Sequence, residues 1–207
     1  MAARRELQHP PEDILAEWGP TVALAAVVIA VGAYLYRRRG NSGAESYYVG
    51  PVVPGGRVLS PYGERTKQGV KAMHNGIDLE APRGTPIHAV SGGTVMGVYP
   101  DGRAAGYGNT VVLKHKDGEG SLYSHMDTID PAMHVGATVT PGQIVGTVGC
   151  TDSEGGFPCD YSHCHFEIFL PPPGNDRPFT HFSGGYDPNP ARADPAAWAF
   201  ERGIRLV

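Results

Sequence analysis

The sequence predicts a mainly β domain, because its composition breaks the chain into short strand-like runs. Glycine (29) and proline (19) make up nearly a quarter of the 207 residues. Between these breaks lie runs rich in β-branched or aromatic residues, at positions 94–98, 110–114, 144–148 and 164–170. Positions 52–170 contain no uninterrupted amphipathic pattern of the kind that predicts a helix. The length accommodates one globular domain with additional segments.

The N-terminal region differs from this composition at residues 18–36, which predict one transmembrane helix ahead of the domain. The segment has nineteen residues without a charge. As a helix it would be about 28 Å long, close to the thickness of the hydrocarbon core of a bilayer. Trp18, Tyr34 and Tyr36 lie where aromatic residues mark the membrane interface, and three arginines follow at 37–39. A cleaved signal peptide is the alternative, but its apolar region would be shorter and its basic residues would come first.

The remaining boundaries follow from the proline, glycine and charge content. Residues 1–17 form an N-terminal tail, 37–50 a basic and flexible linker, 51–172 the predicted domain, and 173–207 a C-terminal extension. One short helix is predicted in the extension. Its N-cap is Asp194, Pro195 lies in its first turn, and Gly203 ends it.

Two histidines one residue apart, His163 and His165, lie in the last predicted strand of the domain. Successive side chains of a strand point to opposite faces, so the two histidines share a face and Cys164 points the other way. Phe166 and Ile168 join Cys164, which makes that face the predicted core. The histidines are about 7 Å apart along the strand. One of them can therefore bind a metal while the other stands over its open side.

A second group of possible metal ligands, His74 and Asp78, lies about ninety residues upstream. Gly76 and the β-branched Ile77 argue against a helix between them, so a turn running into a strand is predicted. Two neutral imidazoles and one carboxylate suit zinc. Three protein ligands leave the fourth tetrahedral position to water, which is typical of catalytic zinc sites.

Three motifs, in their order along the chain, resemble those of the lysostaphin-type zinc endopeptidases of bacterial cell walls. They are His-x-x-x-Asp at 74–78, Tyr-x-His at 123–125 and His-x-His-Phe-Glu at 163–167. Segments 60–65, 84–95, 106–113 and 139–146 extend the resemblance, which covers roughly residues 51–172. The resemblance implies an antiparallel β-sheet, or β-roll, with the site in a groove.

The same resemblance implies roles for the five residues of the site. His74, Asp78 and His165 are the expected ligands of one zinc ion, and His125 and His163 are the expected catalytic histidines. Zinc lowers the pKa of bound water to about 7 and polarises a carbonyl group. A histidine can transfer a proton near neutral pH or stabilise an oxyanion. Which of the two histidines is the general base stays open.

The chain departs from the family pattern in two places. Some relatives carry a tyrosine just ahead of the first ligand, and Tyr62 is the candidate here for a contact with the substrate or transition state. Asn109 is a second candidate near the cleft. The turn before His163 is longer than usual and is flanked by Cys150 and Cys159, which form the predicted disulfide pair.

The predicted function is that of a membrane-anchored zinc endopeptidase that cleaves peptide bonds in the stems or cross-bridges of peptidoglycan. One alternative is a phage virion-associated lysin that uses the same chemistry in entry or exit. The other is a non-catalytic module that binds the cell wall or activates an amidase. A net charge of −4 with scattered lysines predicts no nucleic-acid partner.

Two arguments predict opposite orientations of the domain relative to the membrane. The expected substrate lies outside the cytoplasmic membrane, so the domain is predicted to face the periplasm or the cell exterior, with residues 18–36 in the lipid bilayer. The three arginines at 37–39 favour the opposite orientation, because basic residues near the ends of a span favour the cytoplasmic side. A domain delivered by a virion membrane is the corresponding alternative.

Overall fold

The computed structural model describes residues 47–67, 69–104, 106–116, 118–152, 159–170 and 192–207. The predicted N-terminal tail and the predicted anchor at 18–36 lie outside these ranges. Among the described residues, no helix has the length and apolar character that a membrane crossing requires.

The described residues form short strands, one 3₁₀ turn at Cys159–Tyr161 and one α-helix. In chain order the elements are β1 (Arg57–Ser60), β2 (Gly63–Lys67), β3 (Val70–His74), β4 (Ile77–Glu80), β5 (Pro86–His88), β6 (Gly93–Ala104), β7 (Gly108–Lys114), β8 (Gly120–Ile129), β9 (Thr138–Val139), β10 (Ile144–Val148), β11 (His163–Phe169), β12 (Arg192–Ala193) and α1 (Pro195–Arg202).

One antiparallel sheet dominates the fold, which confirms the mainly β prediction. Its strand order is β1-β4-β11-β8-β7-β6-β9, with β10 paired to β8 and β5, and β12 paired to β11. Strands β2 and β3 form a separate two-stranded sheet. Strand β11 therefore lies between β4 and β8, and all three carry residues of the three sequence motifs.

The two faces of β11 differ in the way that the alternation of its sequence predicts. Cys164, Phe166 and Ile168 are fully buried in the main hydrophobic core. His163 and His165 point to the opposite face. A smaller apolar cluster covers the far end of that face, where Val112, Leu122 and Phe169 pack together. This cluster closes one end of the face and leaves the end at His163 partly exposed.

Helix α1 has the bounds and the caps that the sequence predicts. The Asp194 side chain accepts a hydrogen bond from the Ala196 amide, and the helix ends at Gly203, which has a left-handed φ of 67°. Trp198 is buried, and its indole N–H donates to Glu119 (2.7 Å). Arg202 donates to the other oxygen of Glu119 (2.9 Å). The C-terminal segment is thus fixed to the turn between β7 and β8.

The last residues of the chain also pair with the segment just ahead of β1. The amides of Val52 and Val53 donate to the carbonyl groups of Arg205 (3.1 Å) and Leu206 (3.0 Å). Val52 and Val53 are themselves fully buried in the main core. The two ends of the described domain therefore share one hydrophobic environment.

Two cysteines have described side chains, and they differ in state. Cys150 is disulfide-bonded, whereas Cys164 is a free, buried cysteine. Burial raises the pKa of the Cys164 thiol well above its usual range, so this residue behaves as a small apolar side chain. The pairing of Cys150 with Cys159 stays a prediction, because the Cys159 side chain lies outside the described part of the structure.

We expect Trp198→Ala to lower the free energy of unfolding by about 3–5 kcal/mol, since it removes a buried ring and leaves Glu119 without one donor. The control is Phe200→Ala in the same helix, because the Phe200 side chain is 87% exposed. Its effect should stay within about 0.5 kcal/mol. Urea denaturation followed by circular dichroism measures both. If Trp198→Ala lowered the free energy of unfolding by as little as Phe200→Ala does, the result would contradict the packing described for α1.

Candidate metal centre

Three side chains from three different strands bring one possible ligand atom each to a common point. His74 Nε2 lies 3.0 Å from Asp78 Oδ1 and 3.0 Å from His165 Nδ1. His165 Nδ1 lies 2.8 Å from Asp78 Oδ1. All three residues are buried, and they form a group that could hold a metal ion.

The sheet register fixes this convergence. Asp78 on β4 and His165 on β11 are direct cross-strand partners, so both side chains project from the same face at the same level. His74 is the last residue of β3 and reaches the pair through the turn at Asn75 and Gly76. A Cβ atom at Gly76 would lie 2.4 Å from the Phe166 carbonyl oxygen and 2.9 Å from the His165 ring. The turn can approach β11 this closely only with glycine at position 76.

The imidazoles of His74 and His165 each donate a hydrogen bond from the nitrogen that points away from the cluster. These bonds determine the tautomer of each ring, and the nitrogen that faces the cluster carries no proton when the ring is neutral. His74 Nδ1 donates to the Pro61 carbonyl oxygen (2.7 Å), because a carbonyl can only accept. His165 Nε2 donates to the Glu167 carboxylate (2.9 Å). In their neutral forms, both rings therefore turn a lone pair toward Asp78.

The resulting group of three acceptors suits a cation. Two nitrogen lone pairs and a carboxylate oxygen within 3.0 Å of one another repel unless a positive charge lies between them. Ligand atoms at about 2.1 Å from a tetrahedral zinc ion lie about 3.4 Å apart. The three atoms need to separate by only about half an ångström to reach this spacing, and the donor set of two histidines and one carboxylate is one that zinc accepts.

The pKa values of Asp78 and His165 also indicate that the cluster favours a bound positive charge. Burial would raise the pKa of Asp78, but the close contacts of its carboxylate with the imidazoles of His165 and His74 hold it well below its usual range. Burial would lower the pKa of His165, but its hydrogen bonds to Asp78 and Glu167 raise it to about 9. The metal-free cluster thus binds a proton at the point where a metal ion would otherwise supply the charge.

His125 reaches the cluster through an irregularity in β8. Between the pairs Val111 with Tyr123 and Asn109 with Met126, β8 has one more residue than β7. His125 lies in this bulge with a φ of 57°, the one positive value among the described residues other than glycine. In a regular strand His125 would share the core face of Tyr123. The bulge turns its ring to within 4.8 Å of the His163 ring, centroid to centroid.

The two histidines beside the cluster are held in the same tautomer. His125 Nδ1 donates to the Thr151 carbonyl oxygen (2.7 Å), and His163 Nδ1 donates to the Tyr161 carbonyl oxygen (2.8 Å). Their Nε2 atoms are therefore the acceptors when the rings are neutral. His163 Nε2 lies 3.7 Å from Asp78 Oδ1. Burial lowers the pKa of His125 to about 3 and also lowers that of His163. Both rings are neutral near pH 7 and can accept a proton.

Glu167 organises the side of His165 that faces away from the cluster. Its carboxylate is 0% exposed and accepts three hydrogen bonds from three parts of the chain. The donors are His165 Nε2 (2.9 Å), the Tyr107 hydroxyl (2.8 Å) and Arg192 Nε (2.7 Å). A carboxylate in this position fixes the orientation and tautomer of a metal-binding histidine. The sequence motif contains Glu167, but no sequence pattern identified Tyr107 or Arg192 as its partners.

Asn109 and Tyr62 are the two remaining predicted site residues, and each has a different relation to the cluster. Asn109 sits beside the bulge, where its side-chain amide donates to the carbonyl oxygens of Met126 (3.1 Å) and Asp127 (3.4 Å). It therefore holds β7 and β8 together next to His125. Tyr62 follows Pro61, the residue that fixes the His74 ring. A contact of Tyr62 with the substrate stays a prediction.

A charged pocket of about 380 Å³ lies next to this group of residues. Its lining includes Arg57, Glu80, Arg83 and Asp160. Glu80 is the cross-strand partner of His163, so the pocket continues along the face that carries the cluster. These charges are paired within the protein, since Arg57 donates to Glu80 (2.9 Å) and Arg83 donates to Asp127 (2.7 Å).

Comparisons with curated proteins show a carboxypeptidase/endopeptidase and an activator of murein hydrolases among the similar proteins. The chain is 32% identical over 149 residues to the DD-carboxypeptidase/endopeptidase Mpg of Neisseria meningitidis, which covers 70% of this chain and 31% of that protein. It is 31% identical over 113 residues to the murein hydrolase activator NlpD of Escherichia coli, which covers 55% of this chain and 26% of that protein. The chain thus spans about a third or less of the length of these two relatives.

Two solved structures have a similar fold. The catalytic domain of the prophage-encoded M23 protein EnpA from Enterococcus faecalis is 31% identical with a TM-score of 0.50, over 72% of this chain and 95% of that one. Lysostaphin from Staphylococcus simulans is 23% identical with a TM-score of 0.55, over 76% of this chain and 55% of that one. The model of peptidase family M23 matches residues 72–178, which is more than half of the chain and includes all five residues of the predicted site. The chain therefore belongs to peptidase family M23, the family of the lysostaphin-type peptidases.

Proposed function

We propose that this chain is a zinc endopeptidase that hydrolyses peptide bonds in the stems or cross-bridges of peptidoglycan. The observation that carries the proposal is the group of three acceptor atoms from His74, Asp78 and His165, with two neutral histidines beside it. A structural zinc site is closed by four protein ligands, whereas three ligands leave one position for water. This arrangement is the one that hydrolysis requires.

The residues around the cluster supply the remaining parts of the reaction. A zinc ion held by the three ligands would acidify its water and polarise the scissile carbonyl. His125 and His163 have unprotonated Nε2 atoms, so either can take the proton of the attacking water and pass it to the leaving amine. The protonated ring that results can stabilise the developing oxyanion.

The proposed substrate rests on the relatives. One relative is named a carboxypeptidase and endopeptidase, and another is named an activator of murein hydrolases. Both names support a cell-wall substrate. The pocket beside His163 is lined by ion-paired arginine and carboxylate side chains, so a peptide that bound there would have to compete with the pairs Arg57–Glu80 and Arg83–Asp127.

An activator of other wall hydrolases is the second candidate, because the similarity to NlpD favours it. Purified cell walls distinguish the two candidates. The protein should release new peptide amino termini by itself and should stop doing so with a zinc chelator. Mass spectrometry of the fragments identifies the bond that is cleaved. Release that requires an added amidase, and that a chelator leaves unchanged, would support the activator instead.

We further propose that residues 18–36 anchor the protein in a membrane, with the catalytic domain facing the periplasm or the cell exterior. The length and apolar character of the segment support the anchor, and the location of peptidoglycan supports the orientation. The arginines at 37–39 support the reverse orientation, which fits a lysin carried in a virion membrane.

Protease treatment of intact spheroplasts tests the orientation. We expect the domain to be digested, because an extracytoplasmic domain is exposed once the wall is removed. A cytoplasmic protein in the same cells is the control for membrane integrity. Protection of the domain until the membrane is permeabilised would support the reverse orientation.

Metal content tests the ligand assignment. We expect one zinc ion per chain in the wild-type protein, and we expect His74→Ala and Asp78→Ala to lose both the zinc and the activity, since two ligands hold zinc poorly. His134→Ala is the matched control, because His134 is exposed and is not part of the cluster. Elemental analysis of the purified variants measures occupancy. Full zinc occupancy in His74→Ala or Asp78→Ala would refute the assignment.

Variants of the proposed catalytic histidines should differ from variants of the ligands in the same assay, because they should keep zinc. We expect His125→Ala and His163→Ala to keep zinc but to lose activity by on the order of 10²–10⁴-fold, as for the removal of a general acid or base. Turnover on purified walls and zinc occupancy are measured together. A variant that stays near wild-type turnover marks a residue without a catalytic role. Loss of zinc in His163→Ala, together with retention in His165→Ala, would exchange the roles of these two residues.

A further inference from the structure

Arg192 lies outside residues 72–178, the part of the chain that the family model matches, yet its side chain donates to Glu167, the buried residue behind the metal cluster. We propose that Arg192 is a positioning residue of the metal centre, because it holds the Glu167 carboxylate in the orientation that directs His165 at the metal. This inference rests on the proposed zinc site. It assigns a metal-centre role to the C-terminal segment.

The sheet register puts Arg192 on the correct face. Strand β12 pairs with the end of β11, where Arg192 is the cross-strand partner of Phe169. Side chains alternate along β11, so Phe169, Glu167 and His165 point to the same face, and Arg192 points there too. Strand β4 pairs with the first half of β11 and β12 with its end. One strand therefore supplies the ligand Asp78, and the other supplies the arginine.

The Glu167 carboxylate divides its two oxygens between different partners. Arg192 Nε donates to Oε2 (2.7 Å), while His165 Nε2 (2.9 Å) and the Tyr107 hydroxyl (2.8 Å) both donate to Oε1. A carboxylate is planar, so a bond that fixes Oε2 also fixes the direction of Oε1. Arg192 thus sets the point at which the His165 N–H is aimed and, through the rigid ring, the direction of the Nδ1 lone pair.

The charge balance supports the same role. Glu167 is 0% exposed, and a buried carboxylate is costly unless it has a partner of opposite charge. Arg192 is buried as well, and its guanidinium lies 5.3 Å from the centre of the Phe169 ring. Both groups are shielded from water, so the ion pair is not weakened by solvent. The guanidinium is held on one side by the ring and on the other by the carboxylate.

A direct test measures the zinc dissociation constant of the full-length protein by competition with a chromophoric chelator. Arg192→Met removes the charge and the Nε donor, and it should weaken zinc binding by on the order of tenfold, the low end of the effect seen for partners of metal-bound histidines. Arg192→Lys keeps the charge without the guanidinium geometry and should recover part of the loss. The visible absorption spectrum of the cobalt-loaded protein should shift in Arg192→Met, because the spectrum reports ligand orientation.

Two matched controls separate positioning from packing. Arg205→Met removes an exposed arginine from the same segment, and Arg202→Met removes one of the two hydrogen bonds that fix α1 to Glu119. Both should bind zinc with wild-type affinity. A double-mutant cycle adds a third comparison. If Arg192 acts through Glu167, Arg192→Met should have little further effect in a Glu167→Gln background.

The outcomes distinguish this inference from the proposed function. A wild-type protein that binds no zinc at the cluster overturns both. A wild-type protein that binds zinc, with an Arg192→Met variant of equal affinity and unchanged cobalt spectrum, overturns the role of Arg192 alone. If Arg202→Met weakened zinc binding as much as Arg192→Met, the role of Arg192 would also be overturned. That result would show that zinc affinity depends on the packing of the whole C-terminal segment. If Arg192→Met fails to fold by circular dichroism, Arg192→Lys decides, and wild-type affinity in that variant refutes the proposal.

Discussion

The pairing of β4 with β11 is the constraint on which the rest of the site depends. It puts Asp78 opposite His165, and the same register puts Ile77 and Leu79 in the core with Phe166. The hydrophobic residues that stabilise the pairing therefore also align two of the candidate metal ligands. A slip of one residue would bring the apolar residues to the cleft and the ligands into the core. The register is fixed by a burial free energy that does not depend on the metal.

The metal-free cluster needs a positive charge to hold its three ligand atoms together. The atoms lie within 3.0 Å of one another in a buried site, and the raised pKa of His165 means that a proton on this ring supplies the charge. The surrounding hydrogen bonds from His74 to Pro61 and from His165 to Glu167 keep these lone pairs directed inward. A metal ion that entered the site would displace this proton and would bind only the folded chain. Under the proposed function, metal binding is therefore expected to be linked to folding and to proton release.

Local patterns in the sequence were sufficient for the elements whose geometry is local. The alternation of β11 predicts its two faces because strand side chains repeat every second residue, and α1 follows from Asp194 and Gly203 at its ends. The ligand types follow from the family motifs. Two features of the site depend on contacts distant in sequence, and the chain gave no local signal for them. Arg192 meets Glu167 only because β12 returns to the edge of β11. The bulge at His125 comes from the pairing of β8 with β7, and no glycine marks it.

The bulge at His125 makes the position of this imidazole depend on the number of residues in β8. Met126 and Tyr123 both point into the core although they are three positions apart, because the bulge accommodates the extra residue between them. Deletion of one residue here would restore an ideal ladder, yet it would remove the position from which an imidazole can reach the cleft. Under the proposed function, a change of side chain along this strand would be less damaging than a change of its length. Insertions and deletions within 123–126 should therefore be rare among active relatives.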